Sequence, residues 1–507
     1  MKKILIAIVL LSPIICFAQT DTIPSFVKDS MDAYVSKALS DWRIPGAAVC
    51  IVKNGKVVYM KGYGVKEMNG TDKVDENTLF MIGSNSKAFT ATAIAMLDAE
   101  KKISLDDKVT KWIPQFKLDN KAAGEQAIVR DLLCHRIGFE TFQGDFTYWT
   151  SNLTRNEVIE KMSHIKAEYP FRTKWGYTNA AFLTAGEIIP KATGMQWEEF
   201  VTKRIFQPLG MNNTLALSKD FPNAANKCSA HTIADGQLIK IPFCSIDNLA
   251  AAGSIGSSVN DLSKWVMMQL NNGKLDGKEI VPAKAIAQTW LPHSILGNGG
   301  HMFNSGHYSL YGLGWFLEEY CGKKIVAHTG GVNGFVTSVT LLPEEKLGII
   351  VLTNTDQNSF FEALKWEIAD AYLGKPYRNY SKVYLGYFNQ QQNEELAADK
   401  KLKDSAAMQL KTTLPLTAYC GSYFNDVYGN MNVVLEGGEL RMKFSHHPAI
   451  YAKLESLGGS RFYATFSDPT FAKSVFPFKI TAGKVTGVTV KVADFVEYNP
   501  YEFKKIK

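Results

Sequence analysis

The sequence predicts an α/β chain of two lobes, an antiparallel sheet with flanking helices beside an all-α lobe, followed by a small all-β barrel-like domain. Three observations predict it. Strand-like runs stand near the start, at 47–63, and return at 314–353. The stretch between them, about 105 to 300, is helical and loop-like with little strand alternation. From Leu416 onward, strand-length runs recur with turns between them. At 507 residues the chain also exceeds one hydrophobic core, given roughly 100–200 residues per domain.

The elements follow in order. Lys2 and Lys3 precede the apolar run Ile4 to Leu11, and Cys16-Phe17-Ala18 places a small residue before Gln19, the pattern of an export leader over 1–18. The run is shorter than the roughly 20 apolar residues of a membrane span, and no later segment is long enough. The large Ile15 before Cys16 argues against lipidation there. The expected product is therefore periplasmic or secreted, with no stable membrane insertion.

A helical pattern covers Phe26 to Ala38. Ala47–Val52 and Lys56–Tyr63 are joined by Asn54-Gly55, a strong hairpin signal. Lys87 to Glu100 carries Phe89, Ile94, Met96 and Leu97 with few helix breakers and reads as a largely buried helix. Residues 19–375 form the first domain. Residues 376–413, with a mixed charge cluster and no sustained apolar face, read as a linker with some helix. Residues 414–507 close as a small barrel or sandwich, with Glu436-Gly437-Gly438 as a hairpin turn.

Composition excludes several classes. Hydrophobic residues make up 46% and charged residues 21%, ordinary for a globular protein. The formal charge of +7 falls to +5 when the leader departs with Lys2 and Lys3, and no run of Lys and Arg could track phosphates, so nucleic acid is not a partner. Six cysteines remain after the leader, too few for a disulfide scaffold in so long a chain. Cys228 and Cys244 are the closest pair in sequence, Cys50 and Cys134 read as buried thiols, and no spacing suits zinc.

Ser84-Asn85-Ser86-Lys87 sets a hydroxyl and an amine three residues apart at a helix start, on one face and close enough for proton transfer. The helix N-terminus favours an alkoxide, and burial would lower the amine from its usual 10.4. The same spacing recurs at Ser25/Lys28 and Ser163/Lys166, so context singles out Ser84: it follows a strand-like run and Gly83, and its helix is apolar. Tyr177-Thr178-Asn179 precedes the apolar helical stretch Ala180 to Ile189. Taken alone, Tyr177 is a core tyrosine and Asn179 a helix cap; taken functionally, Tyr177 shuttles protons and Asn179 holds substrate and lysine. His328-Thr329-Gly330-Gly331 follows a short strand and is either a turn or an edge against which a substrate backbone lies. In the second case the N–H groups of Ser84 and Gly331 form an oxyanion hole.

Ser-x-x-Lys, Tyr-x-Asn and His-Thr-Gly in this order resemble the β-lactamase-related serine hydrolases: class C β-lactamases, DD-peptidases, D-aminopeptidases and esterases. The resemblance covers about 25 to 375, including Phe80–Pro114, Ile205–Met211, Gly253–Trp265 and Tyr311–Trp315. It implies a serine β-lactamase/penicillin-binding-protein-like fold with the site between the lobes. It further implies Ser84 as the acylated nucleophile, Lys87 as its base and Tyr177 as general acid/base. Asn179, His328, Thr329, Gly330 and Gly331 would then bind substrate. No metal or organic cofactor is implied. The expected partner is a small molecule or peptide, peptidoglycan-derived peptides included.

Two departures stand out. His328 occupies the place of a lysine in efficient β-lactamases, as in several DD-carboxypeptidases and D-amino-acid peptidases, and Tyr169-Pro170-Phe171-Arg172 lacks a glycine common after the proline. The expected activity is peptide hydrolysis at D-residues, with an esterase or weak β-lactamase as alternatives of the same machinery and a penicillin-binding sensor as the alternative of another class. The tail, opening at Tyr419-Cys420-Gly421-Ser422-Tyr423, resembles the lipocalin-like barrels appended to some of these peptidases. Its His446-His447 pair reads as a solvated surface feature rather than a metal site.

Overall fold

The computed structural model describes residues 22–506, and the expected leader lies outside them. The Asn54-Gly55 turn has φ of 51° and 75°, the double left-handed conformation of a type I′ hairpin. It joins β1 (Gly46–Lys53) to β2 (Lys56–Gly64). The later strands are β3 (Ser294–Gly297), β4 (Ser309–Tyr311), β5 (Phe316–Tyr320), β6 (Lys323–Val332), β7 (Phe335–Leu342) and β8 (Leu347–Thr353). All eight form one sheet in the order β2-β1-β8-β7-β6-β5-β4-β3, every pairing antiparallel. Chain start and chain end thus meet at β1–β8, where Val49 faces Val351.

Side-chain alternation along β1 splits the core in two. Val49 and Ile51 pack with Val35, Leu39, Leu364 and Ile368 beneath α1 (Met31–Asp41) and the helix Phe360–Tyr372. Ala48, Cys50 and Val52 turn to the larger core shared with the helical lobe. That lobe is built of short helices around α2 (Ser86–Ala99), whose residues from Ser86 to Leu97 are all buried. It also contains an unanticipated hairpin, Ala230–Ala234 with Gln237–Ile241, turned at Asp235-Gly236 with φ of 51° and 74°.

The segment expected as a linker is mostly one 28-residue helix, Tyr380–Ala407, capped by Asn379. Its polar surface is laced by i,i+4 contacts such as Gln390–Glu394 and Lys400–Asp404, which explains the missing apolar face. It is a strut rather than a tether. Asp399 on this helix pairs with Lys473 of the last domain and bonds Tyr463, while Lys403 reaches Asp235 of the hairpin.

The last domain is an eight-stranded barrel closed by pairing of His447–Gly459 with Arg461–Phe466, with Leu410–Thr412 added in parallel outside. Gly437 and Gly438 take φ of 60° and 85° in the expected turn. Its interior is aromatic, with Tyr423, Tyr428, Phe444, Phe462 and Phe476 among its members, and it includes Phe146 from the helical lobe. His447 corrects the expectation of a solvated pair. It is 2% exposed, bonded to the Tyr428 hydroxyl at 2.7 Å and to the Trp149 carbonyl at 2.8 Å, so it belongs to the contact between domains. The six cysteines among the described residues are all free, Cys228 and Cys244 included.

Candidate active site

Phe80–Met81 leads to Gly83, whose φ of +53° lies in the left-handed region. A Cβ there would also come within 2.9 Å of Gly331 N and O, so glycine lets this turn press against β6. Ser84 follows in a single 3-10 turn and remains partly exposed at the start of α2. Lys87, one turn on and wholly buried, donates to Ser84 Oγ at 3.1 Å, Asn179 Oδ1 at 2.7 Å and the Ala252 carbonyl at 2.8 Å. Burial pushes its amine well below the usual lysine value, opposed by the Asp145 carboxylate. The other two Ser-x-x-Lys pairs have exposed lysines at Lys28 and Lys166.

Tyr177 shares the cavity wall with Ser84, whose hydroxyl partly offsets the effect of burial on the phenol. Burial raises its phenol far above 10, and its ring centroid lies 4.5 Å from Lys87 Nζ. Asn179 is the first residue of the helix Asn179–Gly186, not its cap, and its side chain is spent on the site. While Oδ1 accepts from Lys87, Nδ2 donates to Asp145 Oδ2 at 2.6 Å. His328 is buried, its Nε2 3.0 Å from the Tyr311 hydroxyl and its Nδ1 2.6 Å from the Thr329 carbonyl. Burial and the nearby Lys87 lower it to about 3, so it is neutral in ordinary buffers.

These groups border a cavity of about 440 Å³ whose wall includes Ser84, Tyr177, Asn179, His328, Thr329 and Gly331. Gly330 takes a different part. A Cβ there would stand 1.8 Å from the Ile82 carbonyl oxygen, so its bareness serves the packing of β6 on the nucleophile turn. The far wall comes from the barrel: Asp494, Phe495 and Tyr498, in the connection before the last strand. Phe142 faces Tyr498 at 5.6 Å and Trp149 faces Phe495 at 6.0 Å, two ring pairs that each join one domain to the other.

Sequence reasoning missed Asp145, 2% exposed and also on the cavity wall. Burial first, then the nearby Glu497, raises its carboxyl well above 3.8. The signal was a single acid among Phe146, Tyr148 and Trp149, since a surface loop seldom gathers so many rings. His135 was missed too; its Nδ1 accepts the Thr178 N–H at 3.0 Å and its ring lies 4.4 Å from Tyr177, which fixes the tyrosine loop. Arg172, with φ of 64°, anchors the glycine-poor loop by bonding Asp131 at 2.7 Å.

A serine hydroxyl near a desolvated amine and a phenol, at a helix start and facing a cavity, can serve as a nucleophile. Residues 31–373 match the beta-lactamase family. The chain belongs to the beta-lactamase family. It is a serine hydrolase of that family, and residues 406–505 match a domain of unknown function, DUF3471. The unguisins hydrolase of Aspergillus violaceofuscus is 28% identical to this family member over 471 residues, covering 85% of this chain and 82% of its own. Protein flp of Staphylococcus aureus is 26% identical over 331 residues, 64% of this chain and 63% of its own. Among solved structures, the octameric penicillin-binding protein homologue from Pyrococcus abyssi superposes with a TM-score of 0.60 at 23% identity, over 94% of this chain and 99% of that one. A D-stereospecific amidohydrolase from Streptomyces sp. gives 0.51 at 21% identity, over 64% of this chain and 94% of that one. At these identities the likeness is one of fold, and the first extends to the barrel of this beta-lactamase-family chain.

Proposed function

We propose that this is an exported serine hydrolase that forms an acyl-enzyme on Ser84 and cleaves peptides containing D-residues, peptidoglycan stem peptides among them. The observation that carries the reading is Lys87, a buried amine held 3.1 Å from Ser84 Oγ and bonded to Asn179 and Ala252. Such an amine is uncharged often enough to accept the Ser84 proton as Oγ attacks the scissile carbonyl. The tetrahedral oxyanion takes hydrogen bonds from the Ser84 and Gly331 N–H groups. Tyr177, on the same cavity wall, gives its own phenol proton to the leaving amine and regains one from the water that clears the acyl group, while Lys87 returns its proton to Ser84 Oγ as the acyl group departs.

The D-residue preference draws support from the D-stereospecific amidohydrolase of similar fold, and hydrolysis itself from the similar unguisins hydrolase. Export rests on the leader pattern of residues 1–18. Intact-mass spectrometry with a fluorophosphonate and, separately, with penicillin, followed by peptide mapping, tests the reading. One adduct on Ser84 that clears with time is expected. A penicilloyl adduct that never clears, with no turnover of any D-peptide, would make the protein a sensor; no adduct with either probe would remove Ser84 as nucleophile.

A further inference from the structure

We propose that Asp145 is the anchor for the acyl side of the substrate and takes its free α-ammonium group, which makes this a site for amino-terminal D-residues. The inference rests on the serine-hydrolase reading above and deepens it. Asp145 borders the cavity with Ser84 and Asn179. One of its oxygens, Oδ2, is spent on Asn179, and the other, Oδ1, is buried with no partner at all. A buried acceptor without a donor carries the full cost of its lost hydration, which a ligand donor removes. The acyl carbon on Ser84 Oγ is one bond from its Cα and two from the α-nitrogen. The chain of contacts from Ser84 through Lys87 and Asn179 ends on the same carboxyl, at Oδ2.

Charge decides which donor fits. Two buried carboxyl groups, Asp145 and Glu497, stand near one buried amine, Lys87. An α-ammonium beside Asp145 favours the ionised carboxylate that burial and the neighbouring Glu497 disfavour. The cavity wall holds no Lys or Arg among the described residues, and its histidine, His328, is neutral. Asp494 at the rim is already paired with Lys491 at 2.6 Å. A substrate's terminal carboxylate therefore meets no cation on the wall, whereas an ammonium meets Asp145. Phe142, Trp149, Phe495 and Tyr498 surround the place where the adjoining side chain would lie and suit an aromatic residue.

The experiment compares D-Phe p-nitroanilide, its N-acetyl counterpart and an N-acetylated D-Phe dipeptide with a free carboxylate, on the full mature chain. For the wild type, kcat/KM for the free amine should exceed that of the acetylated anilide by about tenfold or more. The dipeptide should be the poorest substrate. In Asp145→Asn, which keeps an acceptor for Asn179, the two anilides should come within about twofold of each other. A second readout needs no variant: KM for the free amine should rise above about pH 8 as the substrate's ammonium loses its proton, with no such rise for the acetylated anilide. The groups facing Asp145 that could titrate with it are Glu497, Lys87, Tyr148 and Tyr177. They act on both anilides alike, so the comparison isolates the substrate's charge. Equal rates for the two anilides in the wild type, a preference that survives Asp145→Asn, or a dipeptide that is the best substrate would each overturn the anchor. If Ser84 still takes the fluorophosphonate in that case, the hydrolase reading stands. Absence of both labelling and turnover would remove that reading and this one together.

Discussion

Glu497 of the barrel accepts the backbone N–H of Phe146 of the helical lobe at 2.9 Å. Its other oxygen accepts Gly144 N–H, also at 2.9 Å, and the Tyr501 hydroxyl completes the set at 2.8 Å. The residue between those two amides is Asp145. A barrel side chain therefore fixes the backbone on which a cavity carboxyl is mounted, and the Phe146 ring is buried in the barrel core against Tyr428 and His447. The two domains share one active cavity.

Ser84→Ala should abolish fluorophosphonate labelling and turnover while leaving the melting temperature within a few degrees of the wild type. The hydroxyl is partly exposed and its loss opens little space. Intact-mass spectrometry beside a thermal melt decides it, and a persisting adduct would show that another residue is acylated.

Tyr177→Phe should reduce kcat by about 10²–10⁴, the range for loss of a general acid/base. The ring contacts with His135 and Phe142 remain, so thermal stability should change little. Wild-type turnover in steady-state assays would strip Tyr177 of its proton-transfer role.

Phe146→Ala should cost about 3–5 kcal/mol, as for other buried phenylalanines, and the loss should fall on the contact between domains. Removal of everything after Thr413 goes further, since it bares Phe146 and Trp149 and deprives Gly144 and Phe146 of their acceptor. Low solubility of the truncated chain is expected. A truncated chain that is monomeric and as heat-stable as the full protein would count against an integral barrel.

Burial raises Glu497 from 4.5 to about 7, its backbone donors only partly opposing. Its native form therefore holds a proton over a pH range where the unfolded chain has lost it. That contribution to stability is complete below about pH 4.5 and declines as pH rises towards 7, by on the order of 3 kcal/mol in all. The buried His328 and His447, lowered to about 3 and about 4, act with the opposite sign and lose stability as pH falls below 6.5. Comparison with Glu497→Gln separates the two effects. Between pH 5 and 8 the wild type should lose stability relative to the variant in urea melts, and a pH-independent difference would refute the shift.

Much of the site was legible because its chemistry is local. Ser84 and Lys87 stand one helical turn apart, Tyr177 and Asn179 flank one residue at a helix start, and His328 to Gly331 lie along one strand. The type I′ turn at Asn54-Gly55 and the buried helix after Ser84 were equally local. Asp145 was not legible, since what makes it part of the site is a carboxylate from Glu497, 352 positions later, and an amide from Asn179. The helix Tyr380–Ala407 escaped for a related reason. Its order comes from i,i+4 polar pairs and from contacts to both domains, neither of which leaves an apolar stripe.

The sequence alone determined the lobes, the order of the three motifs and the presence of an all-β tail, because periodicity and turn chemistry act over a few residues. Only the tertiary structure decided where that tail sits and which carboxyl borders the nucleophile. Burial and the charges of distant neighbours are properties of the assembled chain, and they make Lys87 a base, keep His328 neutral and leave Asp145 with one free oxygen.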